Sequence, residues 1–152
     1  MAAGETLRIE RVYAAPAAAV FDAWTSEDVL RRWHHAGPDW TTSEASVDLR
    51  VGGAVRVVMR EPDDGAPHGG GGVYTEVDRP RRLAFTWIWD NDQEARETLI
   101  EIDFEESGGE TTVRFTHSGL RDLEQVRDHE DGWSRAFANL ERTLDEGEGV
   151  GR

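Results

Sequence analysis

The chain has 152 residues, with 31 Asp or Glu against 17 basic residues, all of them arginine, and a net charge of −14. That length suits one domain with its own core, while the acidity disfavours phosphate backbones and anionic membranes, so nucleic acid and membrane surfaces are not expected partners. Without cysteine there is no disulfide, thiolate nucleophile or Cys-ligated zinc, and without lysine no Schiff base.

Thr6 to Tyr13 alternates, with Leu7, Ile9, Arg11 and Tyr13 on one parity, the pattern of a half-buried strand. Pro16 suits a first helical turn, and Val20, Phe21 and Trp24 follow at helical spacing. Ser26, three residues before Val29 and followed by Glu27 and Asp28, marks the start of a second short helix with Leu30 and Trp33 on its apolar face. From Glu44 to Ser118 the period is two. Val47, Leu49 and Val51 alternate towards a turn at Gly52-Gly53, and Val55, Val57 and Met59 follow. Composition makes Pro62 to Gly72 a flexible loop. Further strands carry Val73, Thr75 and Val77; then Leu83, Phe85, Trp87 and Trp89; then Thr98, Ile100, Ile102 and Phe104; then Thr111, Val113, Phe115 and His117. Trp133, Phe137, Leu140 and Leu144 form one stripe of an amphipathic helix, extended upstream by Leu120, Leu123 and Val126, with Gly132 as a kink or start. Residues 1–146 read as one domain and 147–152 as a disordered tail. Short turns imply antiparallel neighbours, and one helical stripe facing such a sheet gives an α+β fold with the sheet curved around the long C-terminal helix.

These residues resemble a known family. Arg11-Val12-Tyr13-Ala14-Ala15-Pro16, Val20-Phe21-Asp22-Ala23-Trp24 and Leu30-Arg31-Arg32-Trp33 are similar to the opening of the SRPBCC (START-like, birch-pollen-allergen-like) superfamily, in its branch of heat-shock protein 90 ATPase activator homologues. Asp48 to Gly53, Gly72 to Trp87, Thr116 to Leu120, Gly132-Trp133 and Leu140 continue the resemblance. It implies a helix-grip fold, a seven-stranded antiparallel sheet wrapped around a C-terminal helix, with two short helices after the first strand. Relatives bind lipids, sterols, polyketides or other apolar molecules between sheet and helix, and a few catalyse cyclisation or hydrolysis. At 33–38 this chain reads Trp-His-His-Ala-Gly-Pro where relatives often carry two aromatics and a nearby proline, so no role is carried over to that edge.

Large side chains on the inward parities define the expected ligand cavity: Trp33, Met59, Trp87, Trp89, Ile102, Phe104, Phe115, His117, Trp133 and Phe137. A filled core is the competing reading. Arg11 on an inward parity either meets a ligand carboxylate or phenolate, or else pairs with an internal acid or escapes into solvent at the strand end, and the second reading is favoured. His117 is a candidate general base but is more simply a satisfied structural histidine; Tyr74 is a third weak catalytic candidate. His34 and His35, even with Asp39 or His129, show no metal-ligand spacing and read as a loop edge near the cavity mouth. Acid pairs such as Glu105-Glu106 and Asp63-Asp64 read as solvated. No metal and no cofactor are expected.

The functions implied are, in order, a binding module for an apolar or aromatic small molecule, an enzyme of the polyketide cyclase or hydrolase type in the same cavity, and a co-chaperone-like interaction domain. A homodimer and a chaperone contact stay open as partners. The N-terminus lacks a basic region followed by an apolar stretch, and no apolar run approaches the roughly 20 residues that span a bilayer, so a cytoplasmic location is expected.

Overall fold

A computed structural model describes residues 4–150, with side chains described through Asp145. Strand β1 (Glu5–Tyr13) leads into α1 (Ala17–Thr25) and α2 (Glu27–Trp33), followed by β2 (Thr41–Val47), β3 (Ala54–Arg60), β4 (Pro67–Asp78), β5 (Arg82–Trp89), β6 (Thr98–Ser107), β7 (Glu110–Leu120) and α3 (Leu123–Val150). The seven strands form one antiparallel sheet in the order β1-β7-β6-β5-β4-β3-β2. The sheet curves around α3, with register shifts in β1, β2 and β4 where bulges bend the strands. The architecture is the expected α+β fold in the expected order.

Local chemistry starts and stops the helices. Ser26 Oγ accepts from Val29 N, so Ser26 caps α2 as its spacing predicts, and the acidic first turn and basic last turn complement the dipole. Helix α1 has no side-chain cap from its own N-cap residue, Pro16. Its first amide, Ala17 N, donates instead to Glu106 Oε1 at 2.9 Å, so one acid of the Glu105-Glu106 pair ties β6 to α1 rather than standing free in solvent. Asp122 Oδ1 accepts from Gln125 N at the start of α3.

Four sequence expectations change. Strand β2 ends at Val47, and Leu49 and Val51 are exposed in the turn to β3, where Asp48 holds Arg50 and Gly52 takes a positive φ of 86°. The bulge between Thr42 and Glu44 breaks the alternation that would have revealed the strand. The Gly69–Gly72 run is β4 itself, paired with β3 from Val58↔Gly69 to Val55↔Gly72. Only side-chain-free residues fit there: a Cβ at Gly70 would sit 2.7 Å from the Trp87 indole, and one at Gly72 would meet the Thr86 carbonyl oxygen. Leu120 closes β7 and is buried, so α3 starts at Leu123 and runs unbroken through Gly132. Its backbone continues as helix to Val150, over much of the segment read as a disordered tail; 151–152 lie outside the described residues.

The space between sheet and α3 is filled. Trp24 of α1 and Trp33 of α2 enter it, with ring centroids 4.6 Å apart, and Trp24 also packs on Phe115, Trp133 and Phe137. Trp33 Nε1 donates to Ala23 O at 2.9 Å. Phe21 meets Phe104 edge-on at 5.4 Å. No described helix is long and apolar enough to cross a membrane.

Candidate functional site

With the centre occupied, the open volume lies at one end of the grip. A cleft of about 520 Å³ is bounded by the loop after α2 (His34, His35, Ala36, Trp40), by Met59 of β3, His68 of β4 and Trp89 of β5, by Asn91, and by one face of α3 (Asp128, His129, Gly132, Trp133, Ala136). That volume is in the range of pockets that take small molecules.

Of the ten residues expected to line a cavity, Met59, Trp89 and Trp133 line this cleft. Trp33, Trp87, Ile102, Phe104, Phe115, His117 and Phe137 are packed into the core behind it. Trp87 connects the two, since the His34 ring stacks on it at 5.9 Å and an interplanar angle of 26°. Its Nε1 is buried without a hydrogen-bond partner, as are Trp24 Nε1 and the hydroxyls of Tyr13 and Tyr74.

The three weak catalytic candidates stand apart from the cleft lining. Arg11 takes the solvent escape rather than an internal ion pair: it is exposed, donates to Glu10 O and reaches Ser134 Oγ on α3 at 3.4 Å. Tyr74 is buried beside Phe85, and desolvation, with Asp48 nearby, raises its pKa well above that of a free phenol. His117 is fully buried.

The hydrogen-bond chain fixes the His117 tautomer. Thr98 Oγ1 spends its proton on Trp87 O (2.9 Å) and therefore accepts from His117 Nε2 (2.8 Å), while Trp133 Nε1 donates to His117 Nδ1 at 3.3 Å. Both ring nitrogens are satisfied in the neutral form. Burial, with His129 nearby, pushes the pKa down to about 3.

All five histidines of the chain gather at this end. Four line the cleft and His117 lies behind, its ring centroid 5.1 Å from that of His129. His129 Nδ1 donates to Gln125 O (2.8 Å) and its Nε2 accepts from Trp89 Nε1 (3.0 Å), an indole–imidazole bridge from β5 to α3. Thr42 Oγ1 donates to His34 O (2.9 Å), so it accepts from His35 Nδ1 (2.8 Å) and leaves His35 Nε2 with a free lone pair. Desolvation lowers the pKa of His34 to about 4 and also lowers those of His35 and His129. Three imidazoles of the lining are therefore neutral at neutral pH. His68 carries Glu61 on its Nε2. Among the described residues no group of three or more His, Asp or Glu could hold a metal ion.

Helix α3 also holds the loop that forms one wall. Asn139, buried, directs Nδ2 at the carbonyls of Trp33, His35 and Gly37 (3.4, 3.2 and 3.3 Å). The segment that departs from the family pattern at 33–38 is thus a fixed part of the cleft. His34, His35, Ala36 and Trp40 belong to a loop with no periodicity, and only the reading of the two histidines as a cavity edge pointed to it.

Comparison with solved structures agrees with this architecture. A protein from Chromobacterium violaceum superimposes with a TM-score of 0.82 at 22% identity, over 91% of this chain and 96% of that one. An AHSA1 protein from Silicibacter pomeroyi does so at 0.78 and 28%, over 93% and 98%. An HSP90 activator from Plasmodium falciparum has a TM-score of 0.73 and 21% identity, over 93% and 97%. Comparison with curated proteins finds no match. The family model described as activator of Hsp90 ATPase homolog 1-like protein matches residues 14–145. The chain therefore belongs to the activator of Hsp90 ATPase homolog 1-like family.

Proposed function

We propose that this protein binds an apolar or aromatic small molecule in the cleft between the end of the sheet, the α2–β2 loop and α3. The observation that carries the reading is the lining itself: Trp40, Trp89, Trp133 and Met59 supply apolar surface in a cleft of about 520 Å³, with a few polar groups among them. Binding is favoured over catalysis because His117, Arg11 and Tyr74 do not line it. The α2–β2 wall is tied to α3 through Asn139 and the β5 wall through Trp89–His129, which supports a preformed site.

Native mass spectrometry of gently purified protein, followed by solvent extraction, tests this directly. An extra mass that extracts as an apolar molecule is expected, and Trp89→Ala should lose it while remaining folded. A clean apo mass, together with no shift in thermal stability across an aromatic and lipid library, would overturn the reading.

A second reading, a chaperone contact, draws on the likeness to an HSP90 activator and on a small exposed apolar patch. Leu49, Val51 and Val73 are exposed, and the backbone bonds of Gly52 and Gly53 to Tyr74 hold the turn that carries Leu49 and Val51 against β4. Stimulation of a chaperone ATPase that is lost in Val51→Ser would favour it.

A further inference from the structure

We propose that the cleft selects its ligand by charge, taking an aromatic-bodied amine as the ammonium ion in preference to the matching carboxylate. This rests on the cleft being a ligand site and adds the chemical class of the ligand.

Charge balance is the first ground. Among the described lining residues none is an arginine, and the chain has no lysine. Arg121, in the adjoining hollow that shares Trp89 and Asn91, already has Glu94 and Asp122 beside it, so a carboxylate entering the cleft finds no counter-ion in the lining itself. It meets Asp128 instead, and the His68 imidazole already has a carboxylate of its own, Glu61. The Arg142 guanidinium is felt at His35, but it stands outside the lining and donates to Asn139 Oδ1. With a net charge of −14, the field of the whole chain also favours cations over anions.

Donor–acceptor chemistry is the second. An ammonium group has three protons to give and no lone pair. The tautomer that Thr42 imposes leaves His35 Nε2 as an acceptor on a ring that lines the cleft. Asp128 and the Asn91 amide oxygen supply further acceptors in the same lining. Because burial keeps the neighbouring imidazoles uncharged, they do not repel a cation.

The third ground is the aromatic content. Three indoles, those of Trp40, Trp89 and Trp133, line the cleft, and indole is the side chain whose face attracts organic cations most strongly. The same surfaces hold the apolar body of the ligand.

Calorimetry at neutral pH and low salt with naphthylethylamine, naphthylethanol and naphthylacetate tests the proposal, since the three share a body and differ in the head. The amine is expected to bind tightest and the acid weakest, the two separated by about ten-fold or more. Asp128→Asn should bring the amine down towards the alcohol while leaving the alcohol unchanged. Glu110→Gln removes the same charge at the start of β7 and should leave the ratio intact, which separates local recognition from the overall field. Equal affinity for all three, tighter binding of the acid, or an unchanged ratio in Asp128→Asn would overturn charge selection while leaving the cleft a ligand site. If none of the three binds and the wider library also fails, the reading of the cleft falls with it.

Discussion

His117 illustrates how one side chain's role is set by what its two nitrogens already do. Nε2 donates to Thr98, Nδ1 accepts from Trp133, and no exposed edge remains for a substrate proton. A buried imidazole in this state links β6, β7 and α3, and its removal costs more than its volume. Truncation leaves the Trp133 indole N–H without an acceptor and opens a void among Phe115, His129 and Trp133. His117→Ala is therefore expected to destabilise the fold by about 2–4 kcal/mol in chemical denaturation. Ligand affinity, measured well below the melting temperature, should change far less than in Trp89→Ala. Unchanged stability would mean that the Trp133–His117–Thr98 chain is not a structural element.

At the scale of elements, α3 does two jobs along one helix. Phe137 and Leu140 pack the core, while Asp128, Gly132 and Ala136 look into the cleft. Gly132 is the point where the two requirements meet. A Cβ built there meets nothing within 4 Å, because it would project into open volume. Glycine inside a helix costs about 1 kcal/mol relative to alanine, so Gly132→Ala should raise stability by about that amount. Gly132→Leu should fold equally well yet abolish uptake of the ligand, as read by loss of the thermal shift that ligand gives the parent protein. A destabilised Gly132→Ala would place that position against packed atoms. The element order was legible in the sequence because strands β5 to β7 and the α3 stripe keep strict periods of two and about 3.6. The glycine run was not, since a strand built of glycine has no side-chain pattern; its reason lies in Trp87 and Thr86 on the neighbouring strand. The cleft was legible only at Met59, Trp89 and Trp133. Inward parity identifies what points between sheet and helix, and helical spacing puts Trp24 and Trp33 on apolar faces, but neither period shows that these two indoles fill the space instead of lining it.

Across the whole molecule, gathering the histidines at one end makes stability depend on pH in a defined window. In the unfolded chain each imidazole titrates near 6.5, whereas in the fold burial lowers His34 to about 4 and His117 to about 3, and lowers His35 and His129 in the same direction. Between these values the unfolded chain binds more protons than the folded one, so the free energy of unfolding rises with pH. The histidine contribution is complete above about pH 6.5 and is lost progressively as pH falls towards 4. At about pH 5 the loss is about 2 kcal/mol for each of His34 and His117, large beside a typical domain stability of about 5–15 kcal/mol. Two other effects work in different ranges or directions. Asp22 and Asp90, held below the usual carboxylate range by Arg79 and Arg56, are exposed pairs whose smaller contribution is lost only at still lower pH. Relief of self-repulsion from the net charge of −14 works in the stabilising direction, but it needs carboxylate protonation and so lies below the histidine window. The midpoint of urea unfolding is accordingly expected to fall between about pH 7.5 and pH 5, before the carboxylates titrate. The fall should be smaller in His129→Gln, where one imidazole that must stay neutral has been removed. A midpoint that holds constant across this range would mean that the imidazoles can be charged in the folded state and that the cleft end is wetter than its packing implies.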